Sequence, residues 1–269
     1  MVSRSAIRDQ HHRTMMPRLD LPTVTLCAVT SVNLSATVAA LEACLDQAEF
    51  DECLLFTHVD ILPDNPRIRV ISVPQINSAR AYSLFMLQRL VLYVRSQHCL
   101  VVQWDGFIID SKQWRTSFLD FDYIGAPWPQ FVDGHNVGNG GFSLRSRRLL
   151  EACTDPRFDI SAVEDVAICR TNRRFLEQVY GISFADELTA GSFAFERTEP
   201  VVPTFGFHGA FNMMTVLGRE RFCQLYETLE ERKTGYNSYK FVMIRIKDSG
   251  LALKRRLSST VRYLWHQFR

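Results

Sequence analysis

No apolar run in the 269 residues approaches the roughly 18 that a membrane-spanning helix requires. Arg4, Arg8, His11, His12 and Arg13 stand near the start without an apolar stretch behind them, so the pattern of a secretory signal is missing as well. The chain therefore reads as cytoplasmic. CxxC pairs are missing too. The seven cysteines, Cys27, Cys44, Cys53, Cys99, Cys153, Cys169 and Cys223, are odd in number and scattered through apolar contexts. That excludes a disulfide framework and a zinc site, and leaves free, mostly buried thiols. Neither GxGxxG nor GxxxxGK[ST] occurs, so the common nucleotide-binding signatures are excluded. There is no internal repeat, no low-complexity tract and no boundary that demands two domains.

What is present is an ordinary soluble composition, 46% hydrophobic and 22% charged, in a chain long enough for a sizeable α/β core. The net charge of +2 hides an asymmetry. Residues 231–269 hold ten Lys or Arg against two acidic residues, +8, which leaves 21 against 27, −6, for residues 1–230. In that tail Phe241, Val242, Ile244, Leu251, Leu257, Val261 and Trp265 interleave with Lys240, Arg245, Lys247, Lys254, Arg255, Arg256 and Arg262. A basic amphipathic helix of this kind suits an anionic membrane surface, so a peripheral position at the inner face of the cell membrane is an expectation, beside that of a solvated helix packed on the body. Nucleic acid is not an expected partner, because only one segment is basic and no recognition motif accompanies it.

The pattern divides the chain into a loose arm over residues 1–20, a domain over 21–230 and the tail over 231–269. Thr23 to Thr30 is continuously apolar and reads as a buried strand. Ser35 is placed to cap a helix over 36–47, and Cys53 to Thr57 and Ile68 to Val73 are two short strands separated by the loop Pro63-Asp64-Asn65-Pro66. Ser78 opens a helix expected to run to about Arg95, followed by a strand from Cys99 to Gln103. The order β-α-β-β-α-β predicts a mainly parallel, doubly wound sheet flanked by helices.

Chemistry-bearing residues gather after those strands. The apolar strand ending at Gln103-Trp104-Asp105 would deliver a carboxylate to the C-terminal edge of the sheet, where open α/β folds bind ligands; a simple turn cap is the alternative. Gly138-Asn139-Gly140-Gly141 reads either as a loop that cradles an anion or as a plain turn. Arg145, Arg147 and Arg148 follow it and offer partners to phosphates, though helix-surface arginines of this kind are usually solvated. Ser161 to Glu164 has the spacing of a capping box, which would occupy Glu164 structurally. Asp165 beside it, near a helix N-terminus, is expected to stay ionised near neutral pH and to be available as a general base. His208, between Phe207 and Gly209, could join Asp105, diphosphate oxygens and waters around Mn²⁺ or Mg²⁺.

Taken in order, Gln103-Trp104-Asp105-Gly106-Phe107, Asp122-Tyr123-Ile124-Gly125-Ala126-Pro127-Trp128, the run from Gly138 to Ser146, Glu164-Asp165-Val166 and Phe205-Gly206-Phe207-His208-Gly209 resemble a bacterial family of unknown function with a GT-A-type glycosyltransferase fold. The match runs from about Thr23 to Asn212. It is similar, more distantly, to β1,3-galactosyltransferase and Fringe-like enzymes. The resemblance implies an inverting hexosyltransferase-like enzyme that moves a sugar from a nucleotide-diphosphate donor to a hydroxyl acceptor, in bacterial polysaccharide or lipid-linked glycan synthesis. It implies that Asp105 matches the last Asp of an Asp-x-Asp motif and that Gln103 stands at the first, where an amide can hydrogen-bond hydroxyls but adds no charge. Asp165 matches the base, with Glu164 as helper. Asp105 and His208 match the ligands of a divalent metal, Gln103, Asp105, Gly140 and Gly141 the donor site, and Trp128 and Phe142 the acceptor wall. Rival readings are a catalytically silent sugar-nucleotide-binding module and a sugar nucleotidyltransferase. Thr30-Ser31-Val32-Asn33-Leu34 after the first strand is poorly suited to gripping the triphosphate that the latter needs.

Overall fold

The computed structural model describes residues 18–231, so residues 1–17 of the expected arm, and the tail beyond Glu231, lie outside the described residues. Strand β1 (Leu19–Val29) begins earlier than the apolar run suggests, because Leu19, Asp20 and Leu21 pair with Ala48, Glu49 and Phe50. Asn33, with a left-handed φ of 55°, turns the chain into α1 (Leu34–Gln47). Ser35 therefore lies inside the helix, which has no side-chain cap. Then come β2 (Ala48–Thr57), β3 (Ile68–Ser72) and α2 (Ala79–Gln88), the last capped by Ser78 as expected, its Oγ accepting from the Ala81 N–H at 3.1 Å. The helix stops at Gln88 and not at Arg95. A short 3₁₀ turn over Leu90–Leu92 follows, and the carbonyls of Val91 and Val94, lacking helical partners, accept from Arg147 instead.

Next are β4 (His98–Val102), β5 (Tyr123–Ile124), β6 (Phe142–Ser146) and α3 (Arg147–Ala152). They are followed by α4 (Glu164–Val166), α5 (Arg173–Tyr180), α6 (Glu187–Phe193), β7 (Ala194–Phe195), β8 (Gly206–Phe207), α7 (Met213–Leu217) and α8 (Arg219–Thr228). The central sheet has six strands in the order β3-β2-β1-β4-β6-β5. β1, β2, β3 and β4 are parallel, and β6 runs antiparallel to both β4 and β5. The expectation of a single α/β domain with a mainly parallel sheet flanked by helices holds.

Both faces of this sheet are covered, which is why β1 and β4 read as unbroken apolar runs. Leu26, Ala28, Leu100 and Val102 pack with Leu41, Cys44 and Leu45 of α1 on one face, and Cys27, Val29, Cys99 and Val101 pack with Phe85 and Met86 of α2 on the other. All seven cysteines are free, and six are buried. No helix among the described residues is long and apolar enough to cross a membrane.

The topology dictates where a ligand can sit. The chain steps from β1 outward to β2 and β3, then returns across β1 to β4, so the loops after β1 and β4 diverge and leave a crevice at their C-terminal ends. Because β6 is antiparallel, its first residue, Phe142, pairs with the last of β4, Val102. The glycine loop before β6 is thereby carried to the same edge as Gln103.

Candidate active site

A cleft of about 340 Å³ opens at that edge, lined by Gln103, Trp128, Gln130, Phe131, Asn139, Gly140, Gly141, Val163, Glu164, Asp165, Val166, Glu196, Arg197 and His208. Seven of the nine residues expected from the sequence, Gln103, Trp128, Gly140, Gly141, Glu164, Asp165 and His208, thus meet in one place. The other two do not reach it. Asp105 is buried behind His208, with its Oδ1 3.4 Å from His208 Nε2. Phe142 is a correction: it is fully buried, its ring packed on those of Phe193 and Phe205, so it is core and not an acceptor wall.

Asp165 is the second residue of a helical run made of α4, a π-helical turn over Ala167–Thr171 and α5. π-turns of this kind recur at functional sites, and here Asn172 holds the turn, donating to the carbonyls of Asp159 and Ala167 at 2.8 and 3.0 Å. The Asp165 carboxylate accepts from the N–H of Val166 at 2.8 Å and of Gly140 at 3.3 Å. Burial and the neighbouring Glu164 nevertheless lift its pKa to about 6. The carboxyl thus titrates near the range in which a general base works best, still mostly ionised at neutral pH.

Glu164 is not in a capping box. The N-cap position is Val163, without a side-chain cap, and the Ser161 N–H donates to Asp159. Glu164 Oε1 instead accepts from Arg145 Nη2 at 2.6 Å in a buried ion pair. Arg145 is also a correction, since the expected solvated arginine is completely buried in β6. Arg147 and Arg148 engage the end of the 3₁₀ turn and Asp122 respectively, away from the cleft.

The glycines serve close approach more than anion cradling. A Cβ on Gly140 would lie 2.0 Å from Glu164 Oε1, and one on Gly141 2.0 Å from His208 Nε2. Both backbone N–H groups are already engaged, Gly140 with Asp165 and Gly141 with Asn139 Oδ1 at 3.0 Å. Of the two sequence alternatives for this loop, the anion cradle is the one the hydrogen bonds disfavour.

His208 follows β8, and Glu196 follows β7. The two short strands pair in parallel, Phe195 with Phe207, and the His208 N–H donates to the Phe195 carbonyl at 3.0 Å. That register sets Glu196 Oε1 3.4 Å from His208 Nδ1. Gln103 Oε1 stands 3.4 Å from His208 Nε2, while Gln103 Nε2 donates to the Tyr82 hydroxyl at 3.0 Å. Burial opposes a charge on His208, but Asp105 and Glu196 outweigh it and raise its pKa to about 10. Glu196, Arg197 and Tyr82 carry no mark of a site residue in the sequence. For Glu196 the only signal was the pairing of two two-residue strands, which no local pattern reveals.

No curated protein matches the chain. Among solved structures it is similar to a mannosyltransferase, PcManGT from Pyrobaculum calidifontis in complex with GDP-Man and Mn²⁺, at 11% identity and a TM-score of 0.43 over 87% of this chain and 68% of that one. That likeness is too distant to transfer anything to this site. The family described as "Protein of unknown function (DUF5672)" matches residues 67–208, more than half of the chain and every residue of the cleft, and the chain belongs to that family.

Proposed function

We propose that this protein is a glycosyltransferase that moves a sugar from a nucleotide-diphosphate donor to a hydroxyl acceptor with inversion, Asp165 acting as the base. The observation that supports this reading best is a half-buried carboxyl, its pKa lifted to about 6, in a polar cleft at the switch-point edge of the sheet. In the proposed step the acceptor oxygen attacks the anomeric carbon, its proton passes to Asp165, and the anomeric C–O bond to the diphosphate breaks with its electron pair leaving on the diphosphate. A single displacement inverts the configuration. Trp128, edge-on to Phe131 at 5.6 Å between ring centroids, offers an apolar surface to the C–H groups of a sugar. Arg197 brings a positive charge to the same cleft.

Asp105 Oδ1 and His208 Nδ1 are buried without hydrogen-bond partners, and Asp105 and Gln103 oxygens both face His208 Nε2. Carboxylate and amide oxygens, with the imidazole once an arriving ion has displaced its proton, fit Mn²⁺ or Mg²⁺ as part of a shell completed by ligand oxygens and water. No group of three or more His, Cys, Asp or Glu able to hold a metal by itself occurs among the described residues. Asp105 and His208 would hold such an ion, and neutralisation of the diphosphate is the chemistry it supplies when bound.

A panel of sugar nucleotides, each tested for thermal stabilisation with and without Mn²⁺, identifies the donor, and donor turnover then tests the reaction. Asp165→Asn is expected to keep the stabilisation and lose transfer by at least about a hundredfold. Wild-type turnover in that variant would remove Asp165 from the mechanism. The absence of stabilisation by every sugar nucleotide would remove the function.

A further inference from the structure

Arg145 has no exposed surface, yet it lies one residue layer beneath the cleft and touches the two segments that hold Asp165. Its Nη2 donates to Glu164 Oε1 at 2.6 Å and to the Gly140 carbonyl at 3.2 Å. Its Nε donates to Ser143 Oγ at 3.0 Å, and that hydroxyl donates to the same Gly140 carbonyl at 3.3 Å. The Gly140 peptide is therefore gripped from both ends, its C=O by Arg145 and Ser143 and its N–H by Asp165. The guanidinium also stands 5.6 Å from the centre of the Tyr123 ring. An arginine can do this where a lysine cannot, because the planar fork reaches three acceptors at fixed angles.

We infer that Arg145 is the positioning residue of this site: it locks the glycine loop against the start of α4 and, by pairing the charge of Glu164, determines the pH at which Asp165 can accept a proton. The groups facing Asp165 are few. Glu164 is beside it on the same helix, Cys169 lies on the π-turn below, Arg145 comes from β6 and Tyr123 from β5. Cys169 and Tyr123 are both held protonated well beyond neutral pH by burial, and across the cleft Arg197 pairs with Glu196 and His208 with Asp105 and Glu196, so the charges that act on Asp165 from its own side of the cleft are Glu164 and Arg145. Removing the cation leaves the Glu164 charge uncompensated beside Asp165, which raises the Asp165 midpoint. Removing the Glu164 charge does the reverse.

The inference deepens the proposed role of Asp165, and its test is independent of sugar transfer. The full chain, labelled with ¹³C at the aspartate carboxyl and assigned with Asp165→Asn, is titrated by NMR as wild type, Glu164→Gln, Arg145→Met and the double variant. The Asp165 midpoint is expected to fall by about one pH unit or more in Glu164→Gln, to rise by a similar amount in Arg145→Met, and to return near wild type when both charges are gone. A scaffold role alone gives no such compensation. Midpoints that stay at the wild-type value in the single variants, or a double variant displaced further than either single one, would overturn the inference. Should Arg145→Met not fold, Arg145→Gln takes its place in the single and the double variant, since the amide removes the charge while keeping hydrogen-bond donors. A transfer assay failing on every donor while these midpoints move would overturn the proposed function and leave the role of Arg145 standing.

Discussion

Asp165 carries a conflict between stability and chemistry. Its pKa is about 6 in the folded protein against 3.8 for an unperturbed carboxyl, so between these values the native state binds more protons than the unfolded chain. The charged carboxylate consequently costs stability, fully so above about pH 6 and not at all below about pH 4. Two pKa units correspond to about 3 kcal/mol. Asp165→Asn is therefore expected to raise the unfolding free energy in urea by up to about 3 kcal/mol near pH 8, a gain that disappears near pH 4. Equal stability of mutant and wild type at both pH values would show that burial does not strain this carboxyl. Phe142 illustrates the opposite case at the residue scale: it stands next to the glycine loop in sequence, but as the first residue of β6 it points into the core.

At the scale of elements, the site depends on where short pieces begin. The Oγ of Ser146 accepts from the Leu149 N–H at 3.0 Å, capping α3, and donates to Asp122 Oδ1 at 2.5 Å. Asp122 Oδ2 accepts from the Ser183 N–H at 2.8 Å and from Arg148, so this one hydroxyl ties α3, β5 and the segment after α5 together. Ser146→Ala is expected to cost about 1–2 kcal/mol, seen as a lower urea midpoint with unchanged slope, while Ser146→Asp keeps the cap but places a second carboxylate against Asp122. A midpoint equal to wild type in the alanine variant would show that water replaces the cap. Ser161 and Glu164 failed as a capping box for a related reason: the S-x-x-E spacing is a local preference, and a buried guanidinium from a distant strand offered Glu164 a stronger, charge-assisted partner.

At the scale of the molecule, the two apolar clusters beneath α1 and α2 lie on opposite faces of the same strands. Neither can lose its packing without exposing the backs of β1, β2 and β4. Tryptophan fluorescence and far-ultraviolet circular dichroism are expected to report coincident urea transitions for the body of the chain. Two separated transitions would mean that the part of the chain from β5 to α5, with its own cluster around Tyr123, Trp128 and Leu176, unfolds independently. The cleft lies where these halves meet, with Gln103 from one side and Asp165 from the other.

The sequence by itself determined the alternation of strands and helices up to β4, because a strand covered on both faces must be continuously apolar and a helix covered on one must repeat its apolar positions at helical spacing. It also marked half of the cleft's lining, because Gln103, the glycines, Glu164, Asp165 and His208 sit at the ends of such elements. Only the tertiary structure decided what each residue does there. The antiparallel entry of β6 brought Gly140 to Gln103, the register of β7 on β8 set Glu196 beside His208, and burial placed Arg145 under Glu164. These are contacts between residues 12 to 37 positions apart, and their energies depend on desolvation and geometry that no local pattern records.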